Sequence, residues 1–181
     1  MREITERKRA EDALRESQAR YELATAGGRV GVWDWNIETD EIYVDPELKA
    51  ILGFQDHEIR NHVDDWPQHI HPDDKNSVMA LAQAHMDGQT PYYEVEHRMV
   101  HKDGSVRWFL ARGTAVRGEG GRVLRMVGTG TDITERKRAE EAAWITRELL
   151  QSTIDALDAH IAILDENAAI IAVNEPWLRF A

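Results

Sequence analysis

Residues 91–132 read as three long strands in succession, a run few folds tolerate. In PYYEVEHRMVH, Tyr93, Val95, His97 and Met99 share one parity, and Glu94, Glu96 and Arg98 the other. That is the period of a strand with one buried face. KDGS follows, with Asp-Gly at its centre, a strong hairpin signal. Then come VRWFLARGTAV, a glycine-rich turn RGEGG, and RVLRMVGTGTDI. Three consecutive strands joined by such short turns run antiparallel, because a parallel crossover needs a dozen or more residues. In the middle strand Val106, Trp108 and Leu110 oppose Phe109 and Ala111. Both of its faces carry bulk, so both need cover.

The preceding residues supply helices and two more strands. After AGG (26–28), VGVWDWN and DEIYV read as a hairpin across IETD. Asp45-Pro46 opens a short helix through Leu52, closed by Gly53, since Asp caps well and Pro suits the first turn. Residues 55–71 are irregular, with short helical pieces around Trp66. HPDD (71–74) starts a longer helix, with Pro72 in its first turn and two aspartates facing the positive end of the dipole. It runs to about Met86 and stops at Gly88, with Val78, Leu81, Ala82 and His85 as its apolar face. Residues 2–25 are strong helix formers. Ala10, Leu14, Ser17, Tyr21 and Ala24 make a weak heptad stripe, compatible with a solvated helix or with a dimer seam. The sum is an α+β fold: a five-stranded antiparallel sheet with short helices crossing one face.

ITERKRAE occurs twice, beginning at residue 4 and at residue 133, an offset of 129 residues. At the same offset VWDWNIETDEIYVDPELKAI (32–51) lies over IAILDENAAIIAVNEPWLRF (161–180) without a gap, Val44 over Val173 and Asp45 over Asn174. This period is domain-sized, far longer than a solenoid repeat. It predicts a tandem array, with residues 158–181 opening a second copy.

Composition removes several classes of function. A chain of 181 residues holds one domain with a full core plus flanking pieces. Its net charge of −11 leaves no excess of cations for phosphates and argues against nucleic-acid binding. No apolar run approaches the roughly 20 residues that span a bilayer. MREITERKRAED has no apolar stretch of the signal-peptide kind, so a cytoplasmic location is the expectation. With no cysteine, disulfides, Cys-ligated zinc, iron–sulfur clusters and thiol catalysis are all excluded.

HPDD ahead of the long helix, KDGSVRWF at the hairpin and GTGTDITERKRAEE at the exit together resemble a PAS sensory domain with its C-terminal PAC motif. The resemblance covers about residues 21–134, and residues 158–181 are similar to the opening of a second PAS domain. It implies a linker or dimerisation helix over 1–20, a complete domain over 21–134, a connecting helix over 135–157 and a truncated second domain over 158–181. It also implies a segment of a longer bacterial protein. Such a module acts as a sensor upstream of a histidine kinase or a cyclic-di-GMP (GGDEF/EAL) enzyme, dimerising through its flanking helices. Asp132, Ile133 and Thr134, which end the last strand, would pass the signal on.

No residues are arranged for catalysis, and the expectation is a non-enzyme. His62, His69 and His71 beside Asp64, Asp65, Asp73 and Asp74 lack compact metal-ligand spacing, so no metal site is expected. The resemblance allows a cofactor between sheet and helices. Non-covalent flavin would draw on the aromatic supply, of which Trp35, Tyr43, Tyr93 and Trp108 are pocket candidates. Haem would take His85, on the apolar stripe of the long helix, as axial ligand. Against these stands core filling by the aromatics and a helix-end role for His85. Three functions follow: a sensory module that dimerises and relays a conformational signal through its flanking helices, a haem or non-covalent flavin redox or gas sensor, and a ligand-free structural or dimerisation spacer.

Overall fold

The computed structural model describes residues 30–180, together with Lys8, Asp12, Arg15, Glu16, Ala19, Arg20 and Leu23, all helical. The heptad positions Ala10, Leu14, Ser17, Tyr21 and Ala24 lie outside the described residues. The chain divides after Thr134 into two compact units.

The first unit contains β1 (Val30–Asn36), β2 (Ile42–Val44), α1 (Pro46–Ile51), α2 (Pro72–Met86), β3 (Tyr93–Val100), β4 (Val106–Arg117) and β5 (Val123–Asp132). The strands form one sheet in the order β2-β1-β5-β4-β3. Every neighbouring pair is antiparallel. Single 3₁₀ turns occupy Asp56–Glu58, Pro67–His69 and Glu119–Gly121.

Both helix starts follow from their caps. The Asp45 carboxylate accepts from Glu47 N at 2.9 Å, with Pro46 in the first turn. His71 caps α2 by accepting from Asp73 N. Asp74 does more than face the helix dipole. Its carboxylate accepts from Arg98 of β3 three times: from Nη2 at 2.6 Å, from backbone N at 2.8 Å and from Nε at 3.0 Å. These charge-assisted bonds fasten the start of α2 to the sheet and hold the Asp74 carboxyl down at about 2.

The buried face of α2 is narrower than its sequence suggests. Val78, Ala82 and His85 are buried, but Leu81 is 42% exposed. At 100° per residue Leu81 sits about 60° to one side of Val78, on the open flank.

Inward-facing residues build the core: Ile42 and Val44 of β2, Leu48 and Leu52 around α1, Val78 of α2, and Met99 and Phe109 of β3 and β4. Two glycines give Trp33 its place. Gly113 and Gly128 pair across β4–β5, and Gly128 pairs with Trp33 across β1–β5. A Cβ on Gly113 would lie 2.6 Å from the Trp33 ring, so the indole can lie over this stretch only because no side chains stand there.

The second unit holds most of α3 (Thr134–Asp155), then β6 (Ala162–Leu164), β7 (Ile170–Val173) and α4 (Glu175–Phe180). It reproduces the opening of the first unit at the 129-residue offset. Trp33↔Val44 and Asp34↔Tyr43 recur as Ala162↔Val173 and Ile163↔Ala172. Asp45 N donates to Val32 O at 2.8 Å, and Asn174 N to Ile161 O at 3.1 Å. Leu48 N to Asp45 O recurs as Trp177 N to Asn174 O. The register departs only at the next pair, where Leu164 meets Ile170 across a bulge. Asn174 is fully buried: its amide nitrogen donates to Ala159 O at 2.7 Å and Ile154 O at 3.0 Å, and its oxygen accepts from Ile161 N at 2.9 Å.

Candidate functional site

Between α2 and the inner face of the sheet lies a cavity of about 100 Å³. The sheet contributes Trp33, Trp35, Ile42, Tyr93, His97, Ala111 and Met126. Val78, Met79 and Ala82 come from α2, and Val63, Trp66, Pro67 and Ile70 from the irregular segment. Period two explains the sheet's share, because Trp33 and Trp35 stand two apart, and Tyr93 and His97 four apart, on one face of their strands. Trp33 meets Tyr93 edge to face, with centroids 6.2 Å apart. Burial pushes the Tyr93 phenol up to about 12 and lowers the His97 imidazole below its ordinary value. Tyr93 is therefore an un-ionised phenol near neutrality, and His97 a neutral imidazole.

One buried lysine, unmarked by any periodicity, fixes the segment that borders this cavity. Lys49 of α1 is 1% exposed. Its ammonium donates to Asp56 Oδ1 at 2.8 Å, Ile59 O at 2.9 Å, and Asp56 O and Asn61 Oδ1 at 3.0 Å. Beyond it Arg60 forks onto Asp65 at 2.7 and 2.9 Å.

Of the five aromatic and histidine candidates, Trp35 and Tyr93 meet in the cavity and three stand elsewhere. Tyr43 lies between the inward Ile42 and Val44, so its side chain takes the opposite face and is half exposed. Trp108 has the parity opposite to the core residue Phe109, and the Arg98 guanidinium lies 6.0 Å from its ring. His85 is buried one turn past Ala82 and outside the cavity lining. Its Nδ1 lies 3.0 Å from Thr90 O, and its Nε2 accepts from Ala115 N at 3.0 Å. The ring pins the end of α2 to β4.

These residues do not fit haem, since the His85 nitrogen that would ligate iron is held by a backbone N–H. Nor does the volume fit a three-ring flavin, being smaller than the ~150 Å³ that holds a single benzene ring. No cluster of three or more metal-ligating side chains exists among the described residues. His62 and His71 each accept from a backbone N–H two residues on, and His69 packs 4.8 Å from the Phe54 ring.

Asp132, Ile133 and Thr134 form a tight joint. The Asp132 carboxylate caps α3, accepting from Thr134 N at 2.8 Å. Ile133 N donates to Trp108 O at 2.8 Å, and Trp108 N donates to Thr134 Oγ1 at 2.9 Å. Ile133 and Thr134 are both buried. The backbone of residue 108 is thus clasped from both sides by the exit, while its neighbour Phe109 points into the core.

Residues 41–130 match the family model described as PAS fold. A crystal structure of a sensory box histidine kinase/response regulator from Burkholderia thailandensis is 39% identical, with a TM-score of 0.64, covering 74% of this chain and 98% of that one. The probable diguanylate cyclase DgcE of Escherichia coli is 26% identical over 95% of this chain. A blue-light-activated histidine kinase of Brucella ovis is 30% identical over 77% of it. The chain spans only 15% and 27% of the length of these two relatives. No helix among the described residues is long and apolar enough to cross a membrane.

Proposed function

The chain belongs to the PAS family, and from that membership we propose that its first unit is a sensory module that relays its conformational state through the exit helix α3. The recipient is a histidine kinase or cyclic-di-GMP enzyme elsewhere in a longer bacterial protein. The observation that carries this reading is the clasp at Trp108. β4 lines the cavity at Ala111, fills the core at Phe109 and holds Ile133 and Thr134 at residue 108. A displacement of the cavity wall moves the start of α3, because the stretch between them is a continuous strand. The module itself carries out no chemistry; the catalysis belongs to its effector. It acts in the cytoplasm, where nucleotide-consuming effectors find their substrates.

The repeated phrase fits this role. Its second copy forms the start of α3, and its first copy would be the corresponding exit of a preceding domain. The recurrence of β1–β2 pairing in β6–β7 supports a second PAS domain after α3, so the units form a tandem array.

A second copy of the chain pairs along α3. Trp144, Ile145 and Leu149 are all more than half exposed, and Ile145 and Leu149 lie four residues apart on one stripe. Light scattering after size exclusion tests this pairing. The full chain is expected to be a dimer, and the variant carrying Ile145→Glu and Leu149→Glu a monomer. A monomeric parent chain, or a dimer that survives both substitutions, rejects the seam.

A further inference from the structure

Among the described residues, four imidazoles accept a hydrogen bond from a backbone N–H, a role open only to an unprotonated ring nitrogen. His62, His71 and His101 each accept at Nδ1 from the residue two positions on: Asp64, Asp73 and Asp103. In each of these turns the aspartate's own carboxylate lies beside the same nitrogen, at 3.5, 3.6 and 2.8 Å. A proton that breaks the first bond makes an ion pair in its place, so the turn is held in either state.

His85 is the exception. Asp87 follows it at the same spacing, but at a helix end two residues stand about 200° apart, and the Asp87 carboxylate accepts instead from Gln83 Nε2 at 2.9 Å. The His85 ring is buried. Its Nδ1 faces Thr90 O, which only accepts, so Nδ1 carries the proton and Nε2 is left to accept from Ala115 N. Pairing of β3 with β4 stops at Tyr93 and Gly113, two residues short of Ala115, and the ring supplies the acceptor that β3 does not.

A second proton, at Nε2, would set N–H against N–H. Nothing around the ring answers the added charge. β4 brings a like charge in the Arg117 guanidinium, which donates to His85 O and Met86 O and so already serves the carbonyls that would welcome a cation. The inner face of β3 brings the un-ionised Tyr93 phenol and the neutral His97 ring, and the turn after α2 brings Thr90. The histidine–carboxylate pairs among the described residues are those of His62, His71 and His101. A buried imidazolium without a counter-charge moves out to water, and the last turn of α2 has to loosen to let it go.

We propose that proton uptake by His85 unlatches the C-terminal turn of α2 from β4 and gives the module an acid-sensitive input, while the N-terminal turn stays fastened through His71 and the Asp74–Arg98 bonds. This rests on reading the first unit as a sensory module and names one stimulus for it. The release is read at Ala115, so the proposal can fail while the relay through Trp108 stands, and the reverse.

The test is residue-by-residue amide hydrogen exchange of the full chain at about pH 7.5 and about pH 5, either side of the ordinary imidazole value of about 6.5, with rates corrected for the intrinsic effect of pH. Protection is expected to fall at least about tenfold at the lower pH for the amides of Ala115 and of Gln89, whose N–H closes the last turn onto Ala84 O. Asp73 and Arg98, at the other end of α2, are expected to change less than about threefold, because Asp74, held at about 2, stays ionised. His85→Gln puts a carbonyl oxygen that does not titrate near the place of Nε2, and is expected to keep Ala115 protection level between the two conditions. Unchanged protection at Ala115 in the unsubstituted chain, or an equal fall at Asp73 and Arg98, overturns the proposal whether or not the variant folds. A folded His85→Gln chain that loses Ala115 protection as the unsubstituted chain does also overturns it.

Discussion

Replacing Lys49 by Met keeps an unbranched side chain, one atom shorter, and removes its charge. Four acceptors lose their donor: Asp56 Oδ1, Asp56 O, Ile59 O and Asn61 Oδ1. They do not count equally. The Asp56 side chain is 64% exposed and regains water, so its ion pair contributes under about 1 kcal/mol. Ile59 is 4% exposed, and a carbonyl left unpaired there costs about 1–3 kcal/mol. The two part-buried acceptors add about 1 kcal/mol each, and relief from burying the ammonium returns about 1 kcal/mol. The net expectation is a loss of about 3 kcal/mol, or a melting temperature lower by roughly 15 °C for a domain of this size. Urea unfolding followed by tryptophan fluorescence measures it, with Asp56→Asn as the comparison, expected to cost under about 1 kcal/mol. If Lys49→Met is neutral, or if Asp56→Asn costs as much, then the lysine is not the staple of residues 56–61 and the reasoning fails.

Two further outcomes follow from the core and its charges. Gly128→Ala places a methyl group against the Arg112 carbonyl and the Trp33 ring. It should destabilise by at least about 3 kcal/mol in the same urea assay, while Gly120→Ala, in open space at positive φ, should cost about 1 kcal/mol. Two pH windows are distinct. His97 has a lowered folded value, so its contribution is complete above about pH 6.5 and is lost as the pH falls below it. Asp74 contributes fully above about pH 4 and loses its contribution as the pH falls to about 2, so the stability gap between the parent chain and Arg98→Met should close across that range.

Much of the fold is legible because it rests on local signals. Period-two alternation gives β3, Asp-Gly and the glycine-rich turn set β4 and β5 after it, and Asp45-Pro46 and His71-Pro72 start the two helices where their caps lie. The site is less legible because its residues meet only through tertiary register. Trp33 becomes a cavity wall through two glycines far along the chain. Tyr43 leaves the site through strand parity. His85 serves backbone groups at Thr90 and Ala115 that helical periodicity cannot reveal. Lys49 is the largest omission. A lysine in PELKAI reads as a solvated position, and nothing nearby in sequence announces the carbonyls that surround it. The Asp132–Thr134 joint falls at a strand end in the sequence, but its partner Trp108 appears only once β4 and β5 are paired.

The coupling of cavity to exit is tested most directly without any ligand, by filling the cavity with Ala82→Phe and measuring amide hydrogen exchange residue by residue. Ala82 lines the cavity from α2, a different element from the exit joint at Asp132–Thr134. Protection is expected to change at Ile133 and Thr134, with the distant hairpin amides of Gly104 and Ser105 unaffected. Changes confined to α2 and the cavity lining, with Ile133 and Thr134 exchanging as before, would contradict it.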